Sequence, residues 1–587
     1  MHRIRKVSLG PTGVALERRA GGIVHLRSPF QLEQYPAKLT ERLDHWAATA
    51  PDRVFLAQRA AGQMRGGWQR FTYAEVRDGA RRVAQSLLER KLDKERPVVV
   101  LSGNDIEHAL IELGALYAGI PYAPVSPAYS LMSSDFLKLR KIIELLTPGL
   151  VYASLEGAFG RAIEASVPPD VEVLFKDTFF RLDENKASAA VDVAHSLVGP
   201  DTIAKFLFTS GSTGMPKAVI NTHRMWCSNQ EMIRTMLAYF QDEPPVIVDW
   251  APWHHTAAGN HDFGLVLYNG GTYYIDEGKP MPGAIEATVR NLKEIAPTWY
   301  FTVPKGYEAL LPYLKKDSLL RENFFRKLKV LWFAGAGLPQ RVFDEMKQLA
   351  LDTCGEHIPF LTGLGSTETA PYALGRTWDS ADASNMGLPP PGVEVKLVPF
   401  ENKYEARLKG PNITPGYWRQ PELTAAAFDE EGYYRLGDSF AFSDPSFPEK
   451  GLIYKGRIAE DFKLSTGSWV HVGPLRTSFI EHFAPLVRDV VIAGEGRSEL
   501  AALVFPAAGF SRERFDLLFE TLEHGGSSSR IALVLVFDEP PSLDAGEITD
   551  KGTINQKAVL SRRGKLVDEL YVRSESMRAG STGLTRK

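Results

Sequence analysis

Residues 206–217 read FLFTSGSTGMPK. A hydrophobic run, Phe206-Leu207-Phe208, leads into Thr209, Ser210, Gly211, Ser212, Thr213 and Gly214, and Lys217 follows. Glycines let a backbone approach an anion closely, hydroxyls and N–H groups donate to it, and the lysine supplies charge, so the stretch suits a phosphate. It is not a Walker A loop: Lys217 comes after Met215-Pro216, and Ala218 stands where that motif needs a hydroxyl for magnesium. A second stretch, DWAPWHHTAAGNHD at 249–262, gathers His254, His255, His261 and Asp262. A metal site there is disfavoured, because Pro252 and Gly259 break any helix that would hold two of these on one face.

These residues need strands and helices to place them. From about residue 96 short apolar runs alternate with stretches of helical spacing: PVVVLSG then DIEHALIELGALYAG, and IPYAPV followed by SSDFLKLRKIIELL, the last read as a serine-capped helix. The alternation returns in VIVDWAP, AIEATVRNLKEIA, TWYFTVP, KVLWFAG, QRVFDEMKQLALDTCG and IPFLTGLG. Such a pattern predicts α/β architecture, with parallel sheets covered on both faces and ligands past the carboxyl ends of the strands. Three runs enter Gly-rich loops, at 209–214, at Ala334-Gly335-Ala336-Gly337 and at Gly363-Leu364-Gly365, as loops converging on one site would. After about residue 386 short strands rich in Pro and Gly suggest a small β-barrel or antiparallel sheet. From about 457 a compact α+β unit is expected, ending in a polar tail, SESMRAGSTGLTRK, that reads as disordered.

The 587 residues are too many for one core, so several domains are expected. With 44% hydrophobic and 24% charged residues the composition is that of a soluble globular protein, and a net charge of −3 offers no field for nucleic acid. Cys227 and Cys354 read as free thiols in a reducing compartment. The basic start, MHRIRKVSLGPTG, has no apolar stretch behind it, and the longest uncharged run, Leu113 to Ser134, carries Pro121, Pro124 and Pro127. A cytoplasmic protein with no membrane or nucleic-acid partner is the expectation. The oligomeric state, monomer or homodimer, stays open.

The full string TSGSTGMPK resembles the phosphate loop of the adenylate-forming superfamily of acyl-CoA synthetases, luciferases and adenylation domains, and the resemblance extends from about residue 40 to 565. GLGSTETAP (363–371) is similar to the segment in which a threonine contacts AMP and a glutamate helps to hold magnesium. That implies Thr367 and Glu368, with Ser366 beside them and Leu364 where an aromatic usually stacks on adenine. YYRLGDSF (433–440) resembles the box whose aspartate, here Asp438, accepts from the ribose hydroxyls. YKGRIAEDFKLSTGSW (454–469) resembles the hinge segment, keeping Arg457, Lys463 and Gly467, with Ala459 where an aspartate is usual and Glu460 next. TINQKAVLSRR (553–563) is similar to the segment of the catalytic lysine, which maps to Lys557 with Lys551 and Lys565 nearby. The family's P-x-x-H puts its histidine at His255, near the substrate carboxylate.

The resemblance implies a large N-terminal domain, 1–456, and a small mobile one, 457–587, that rotates about 457–460. It implies ATP, Mg2+ and coenzyme A, with an acyl-AMP formed first and a thioester second. Lys557 would serve the first step and the face carrying Gly467 the second. DWAPWHHTAAGN and DFKLSTGSWVHVGPLR look most like the feruloyl-CoA (hydroxycinnamate) synthetases, which implies a small aromatic carboxylic acid as substrate. Little bulk at Gly335, Ala336, Gly337 and Gly363 to Gly365 suggests a flat slot, and Trp250 and Trp253 are read either as its walls or as core. The competing readings are a fatty acyl-CoA or other aryl-acid ligase and a protein of the same fold that binds without turnover.

Overall fold

The computed structural model describes residues 3–60, 67–210, 215–522, 525–549 and 552–582. The alternating runs become three mainly parallel sheets, each closed at one edge by an antiparallel strand. The largest runs, in spatial order, Pro216–Thr222, Ile203–Ser210, Tyr122–Pro124, Val98–Leu101, Leu150–Ala153 and Glu172–Phe175, with only the first pair antiparallel. Val98 to Leu101 are wholly buried, as a strand covered by helices on both faces must be. The helix Ile106–Ala118 starts where Asp105 accepts from the His108 amide at 2.7 Å and stops at Gly119, whose φ of 70° makes it the C-cap.

A second sheet orders Val246–Asp249, Thr272–Ile275, Val54–Arg59 and Trp68–Thr72, and a third Trp299–Thr302, Val330–Phe333, Phe360–Gly365 and Tyr372–Gly375. Their last pairs are antiparallel and the rest parallel. The expected antiparallel sheet after residue 386 is six-stranded: Ala15–Arg18, Val24–Arg27, Glu394–Phe400, Lys403–Lys409, Tyr434–Phe442 and Leu452–Arg457. Its first two strands come from the N-terminus, upstream of the residue-40 start of the motif resemblance.

Two local readings need correction. The helix after Ser133-Ser134 begins only at Leu137, because Phe136 takes a left-handed φ of 54°. Ser133 Oγ accepts from the Phe136 amide at 3.0 Å and Asp135 from the Leu137 amide at 2.9 Å. The C-terminal tail is helical from Gly564–Thr582, since Val567, Leu570 and Tyr571 dock on the small unit's core and the Tyr571 hydroxyl donates to the Glu499 carbonyl at 2.9 Å. Residues 583–587 of the expected disordered segment lie outside the described residues.

Residues 462–571 carry their own apolar cores on the two faces of the sheet Val487–Ala493, Leu500–Pro506 and Ile531–Val536. Apolar and polar contacts join this unit to the rest of the chain: the Phe400 and Trp469 rings meet edge to face with centroids 5.5 Å apart, and Leu543 packs against the core of the largest sheet. Asp544 accepts from Ser133 Oγ at 2.7 Å, from the Ser134 amide at 3.0 Å and from Ser134 Oγ at 2.7 Å, while Lys138 donates to the Leu543 carbonyl. Asp461, its side chain wholly buried, accepts from Lys403 in the six-stranded sheet. On its other side it takes His471 Nδ1 at 3.0 Å and the Val472 amide at 3.1 Å. Ala459 itself sits in the short turn Ile458–Glu460, and the carboxylate that follows the turn, Asp461, has its side chain wholly buried.

Candidate active site

Phosphate-loop residues Gly211, Ser212, Thr213 and Gly214 lie outside the described residues. The residues that flank them do not: Thr209 pairs with Lys217 across the antiparallel strands Ile203–Ser210 and Pro216–Thr222. Lys217 Nζ stands 4.9 Å from the centroid of the Tyr417 ring. The Tyr417 hydroxyl donates to Glu368 Oε1 at 3.0 Å, and the Thr414 amide donates to the Glu368 carbonyl at 2.8 Å. A cation on a ring whose hydroxyl binds a carboxylate gathers opposite charges without an ion pair that would cancel them. Tyr417 was not anticipated. It lies outside every motif, and only the pairing of residues 416–418 with strand Pro216–Thr222 brings it in.

Thr367 and Glu368 form a short turn at the carboxyl end of strand Phe360–Gly365, and both are buried. Gly365 is required there: a Cβ would stand 1.5 Å from the Pro371 carbonyl oxygen. Asn229 and Asn412 hold the turn from behind, donating to the Tyr372 carbonyl at 2.7 and 3.1 Å. Ser366 Oγ is buried at the start of the turn. Leu364 is half-buried against the core.

Asp438, on strand Tyr434–Phe442, is buried with Tyr454 donating to its Oδ1 at 3.2 Å and Arg457 Nε 3.5 Å away. Burial raises its pKa above the ordinary aspartate value, against the opposing pull of Arg457 and Tyr454. The Tyr434 hydroxyl, on the same strand, lies between those of Tyr417 and Ser366. Thr209, Lys217, Ser366, Thr367, Glu368, Asp438 and Arg457 therefore form one continuous neighbourhood.

The other predicted residues are more dispersed. His255 precedes a π-helical segment, Thr256–Asp262, in a loop pinned by Asn104, which accepts from the Trp253 amide at 2.9 Å and donates to the Ala251 carbonyl at 2.8 Å. Gly335, Ala336 and Gly337 are exposed, and a Cβ on Gly337 would meet nothing within 4 Å. Trp253 is core rather than slot wall: it is fully buried and donates to the Tyr273 hydroxyl at 3.0 Å. Lys463 and Gly467 lie on an exposed hairpin of the small unit. Lys557 is exposed at the start of helix Gln556–Arg562, and Lys551 lies outside the described residues.

Among the described residues no cluster of three or more His, Cys, Asp or Glu could hold a metal ion. A single buried carboxylate such as Glu368 fits a magnesium ion that arrives with substrate phosphates, since that ion keeps most of its ligands from water and phosphate. No helix among the described residues is long and apolar enough to cross a membrane.

Comparison with known proteins shows the family. The AMP-binding enzyme family matches residues 43–418, and the AMP-binding enzyme C-terminal domain matches 461–575. A 3-hydroxybenzoate–CoA ligase of Aromatoleum is 26% identical over 78% of this chain and 87% of its own length. A long-chain-fatty-acid–CoA ligase of Bos taurus is 22% identical over 86% of this chain and 75% of its own. Among solved structures, o-succinylbenzoate coenzyme A synthetase of Bacillus subtilis in complex with AMP superposes with a TM-score of 0.70 at 15% identity. The match covers 89% of this chain and 98% of that one. With the family match spanning most of the chain, and the phosphate-loop anchors, the Thr367-Glu368 turn and Asp438 in one neighbourhood, this protein is an enzyme of the AMP-binding, adenylate-forming family.

Proposed function

We propose that the protein activates an aromatic carboxylic acid as its acyl-AMP and passes the acyl group to coenzyme A, with hydroxycinnamates such as ferulate and p-coumarate as the favoured acids. The observation that carries the choice of acid is a cluster of buried flat rings behind Gly363, on the strand that runs into the small-residue stretch Gly363 to Gly365. His261, Trp299, Phe301 and Trp332 lie with ring centroids 5.3–6.3 Å apart, and a Cβ on Gly363 would come within 2.7 Å of the Trp332 ring. Flat rings and small residues favour a planar acid with few rotors to freeze over a flexible chain.

In the first step a carboxylate oxygen of the acid attacks the α-phosphorus of ATP. The bond to the bridging oxygen breaks, and pyrophosphate leaves with its electron pair. Lys217 and the 209–214 loop would hold the outgoing phosphates, Ser366 and Thr367 the α-phosphate side, and Asp438 the ribose. A magnesium ion at Glu368 would neutralise charge on the phosphates. In the second step the thiol sulfur of coenzyme A attacks the acyl carbonyl, its proton goes to solvent, and AMP departs. We assign the first step to an orientation of the small unit (457–587) that brings Lys557 or Lys551 to the site, and the second to its rotation about 457–460.

The deciding measurement is ATP-dependent pyrophosphate release over a panel of acids, with and without coenzyme A. Ferulate or p-coumarate is expected to exceed octanoate and palmitate in kcat/KM by at least about tenfold, which is ~1.4 kcal/mol of transition-state preference. Faster turnover of octanoate would make the chain a fatty acyl-CoA ligase instead.

A further inference from the structure

Among the described residues the small unit is held to the large one at two separated places. One lies at the pivot, where Asp461 meets Lys403, Trp469 meets Phe400, and Gly473 backs onto Gly456. The other lies on a different sheet, where Asp544 meets Ser133 and Ser134 and Leu543 meets Lys138. A contact at the pivot leaves rotation about it open, because its lever arm is short. A second contact on another element fixes the orientation.

That second place is shaped to take a carboxylate. The left-handed turn at Phe136 delays the helix Leu137–Leu146, so the Ser134 amide is spared from helical bonding and stands beside the hydroxyls of Ser133 and Ser134. Asp544, half-buried, takes all three donors, at 3.0, 2.7 and 2.7 Å. Burial alone would raise its carboxyl, but these donors and the charge of Lys138 outweigh it and hold the group below the ordinary aspartate value. Bonds to an ionised carboxylate are among the stronger ones available at a surface.

The place also lies close to the phosphate-loop strands. The helix Leu137–Leu146 packs on strand Pro216–Thr222, which carries Lys217. Leu543 packs against the same apolar core as Phe208 and Ile220, one from each of the two strands that flank the loop. Beyond Asp544 the chain is tied to its own unit. Glu547, wholly buried, accepts from Arg562 and Arg563 at 2.7 Å each, and its carbonyl accepts from the Asn555 amide at 2.8 Å. Asn555 caps the helix Gln556–Arg562, at whose start Lys557 sits. Fixing Asp544 therefore fixes where this helix stands.

We propose that Asp544 is a positioning residue for the first half-reaction: its bonds to Ser133 and Ser134 select the orientation of the small unit that forms acyl-AMP, and they part before the thiol of coenzyme A attacks. The inference rests on the two-step reading above and names the contact that decides which step the enzyme is ready for.

The test measures the half-reactions apart in the full-length enzyme. The first is pyrophosphate release from ATP with ferulate or octanoate, and the second is thioester formation from synthetic feruloyl-AMP or octanoyl-AMP with coenzyme A. Using both acids frees the outcome from the question of which is preferred. Asp544→Ala is expected to slow the first by at least about tenfold, since its bonds to the large unit are lost, and to leave the second within about twofold of wild type. Ser133→Ala with Ser134→Ala, made on the other unit, is expected to show the same split with a smaller loss, because the Ser134 amide remains. Hydrogen exchange reads the contact without turnover: the Ser134 amide is expected to exchange faster in Asp544→Ala at an unchanged melting temperature. Equal losses in both half-reactions, a larger loss in the second, or unchanged exchange at Ser134 overturns the assignment and leaves the ligase reading in place. Wild-type enzyme that makes no thioester from either adenylate overturns the two-step reading itself.

Discussion

Glu368→Gln is expected to slow acid-dependent pyrophosphate release by about 10²–10³-fold, a loss of ~2.7–4 kcal/mol at the transition state. The glutamine keeps an oxygen for the Tyr417 hydroxyl, now 3.0 Å from Oε1, so the turn at 367–369 keeps its shape. What is lost is a negative charge in a buried place, joined through Tyr417 to Lys217. Thermal melting of the variant is therefore expected to match the wild type, and raised magnesium is expected to restore part of the rate. A loss smaller than about threefold at saturating magnesium would remove Glu368 from the chemistry.

Lys205→Met is expected to act on the fold, with a loss of about 3–5 kcal/mol in unfolding free energy read by denaturant titration. Lys205 and Glu112 are both wholly buried, with Nζ 3.1 Å from Glu112 Oε1 and 3.5 Å from the centroid of Trp226. Glu112 Oε2 has no hydrogen-bond partner among the described residues, so removing the lysine strands a carboxylate in apolar surroundings. The double variant Lys205→Met with Glu112→Leu is expected to recover much of the loss, since a well-packed apolar pair often replaces a buried ion pair without penalty. Burial lowers the lysine to about 8, from its usual 10.5. Between those pH values the unfolded chain binds the extra proton, so this group's contribution rises with pH over that window and is flat below it. In Lys205→Met that rise should vanish. Single and double variants of equal stability would refute the stranded-carboxylate argument.

The parallel sheets were legible because their strands are continuous apolar runs between helices of clear period, as at Val98–Leu101 and Ile106–Ala118. Phosphate-loop anchors, the Thr367-Glu368 turn and Asp438 were legible as motifs, since backbone approach and fixed spacing leave a local signature. Tyr417 was not. It is an ordinary tyrosine in sequence, and its meaning comes from its pairing with the distant strand Pro216–Thr222. The same holds for strand Val24–Arg27, which finds its partner in Glu394–Phe400. The helix Gly564–Thr582 was hidden differently. Its composition is polar, and only Val567, Leu570 and Tyr571 hold it to the small unit. His261 and Asp262 were visible as types, yet with Pro252 and Gly259 in view their segment read as irregular, and a π-helix has no sequence period to betray it.

Asp461 has one consequence for timing. It is bonded at once to Lys403 on the large side and to His471 and Val472 on the small side. If the small unit swings about 457–460 as proposed, Asp461 must part from Lys403, which is 5% exposed and would be left a buried cation without its anion. The swing then has a threshold rather than a smooth slope, so the two half-reactions would be separated by a dwell time instead of blending into continuous rocking. Because the contact is shielded from solvent, ionic strength would hardly alter that dwell, whereas surface charges would answer to it readily.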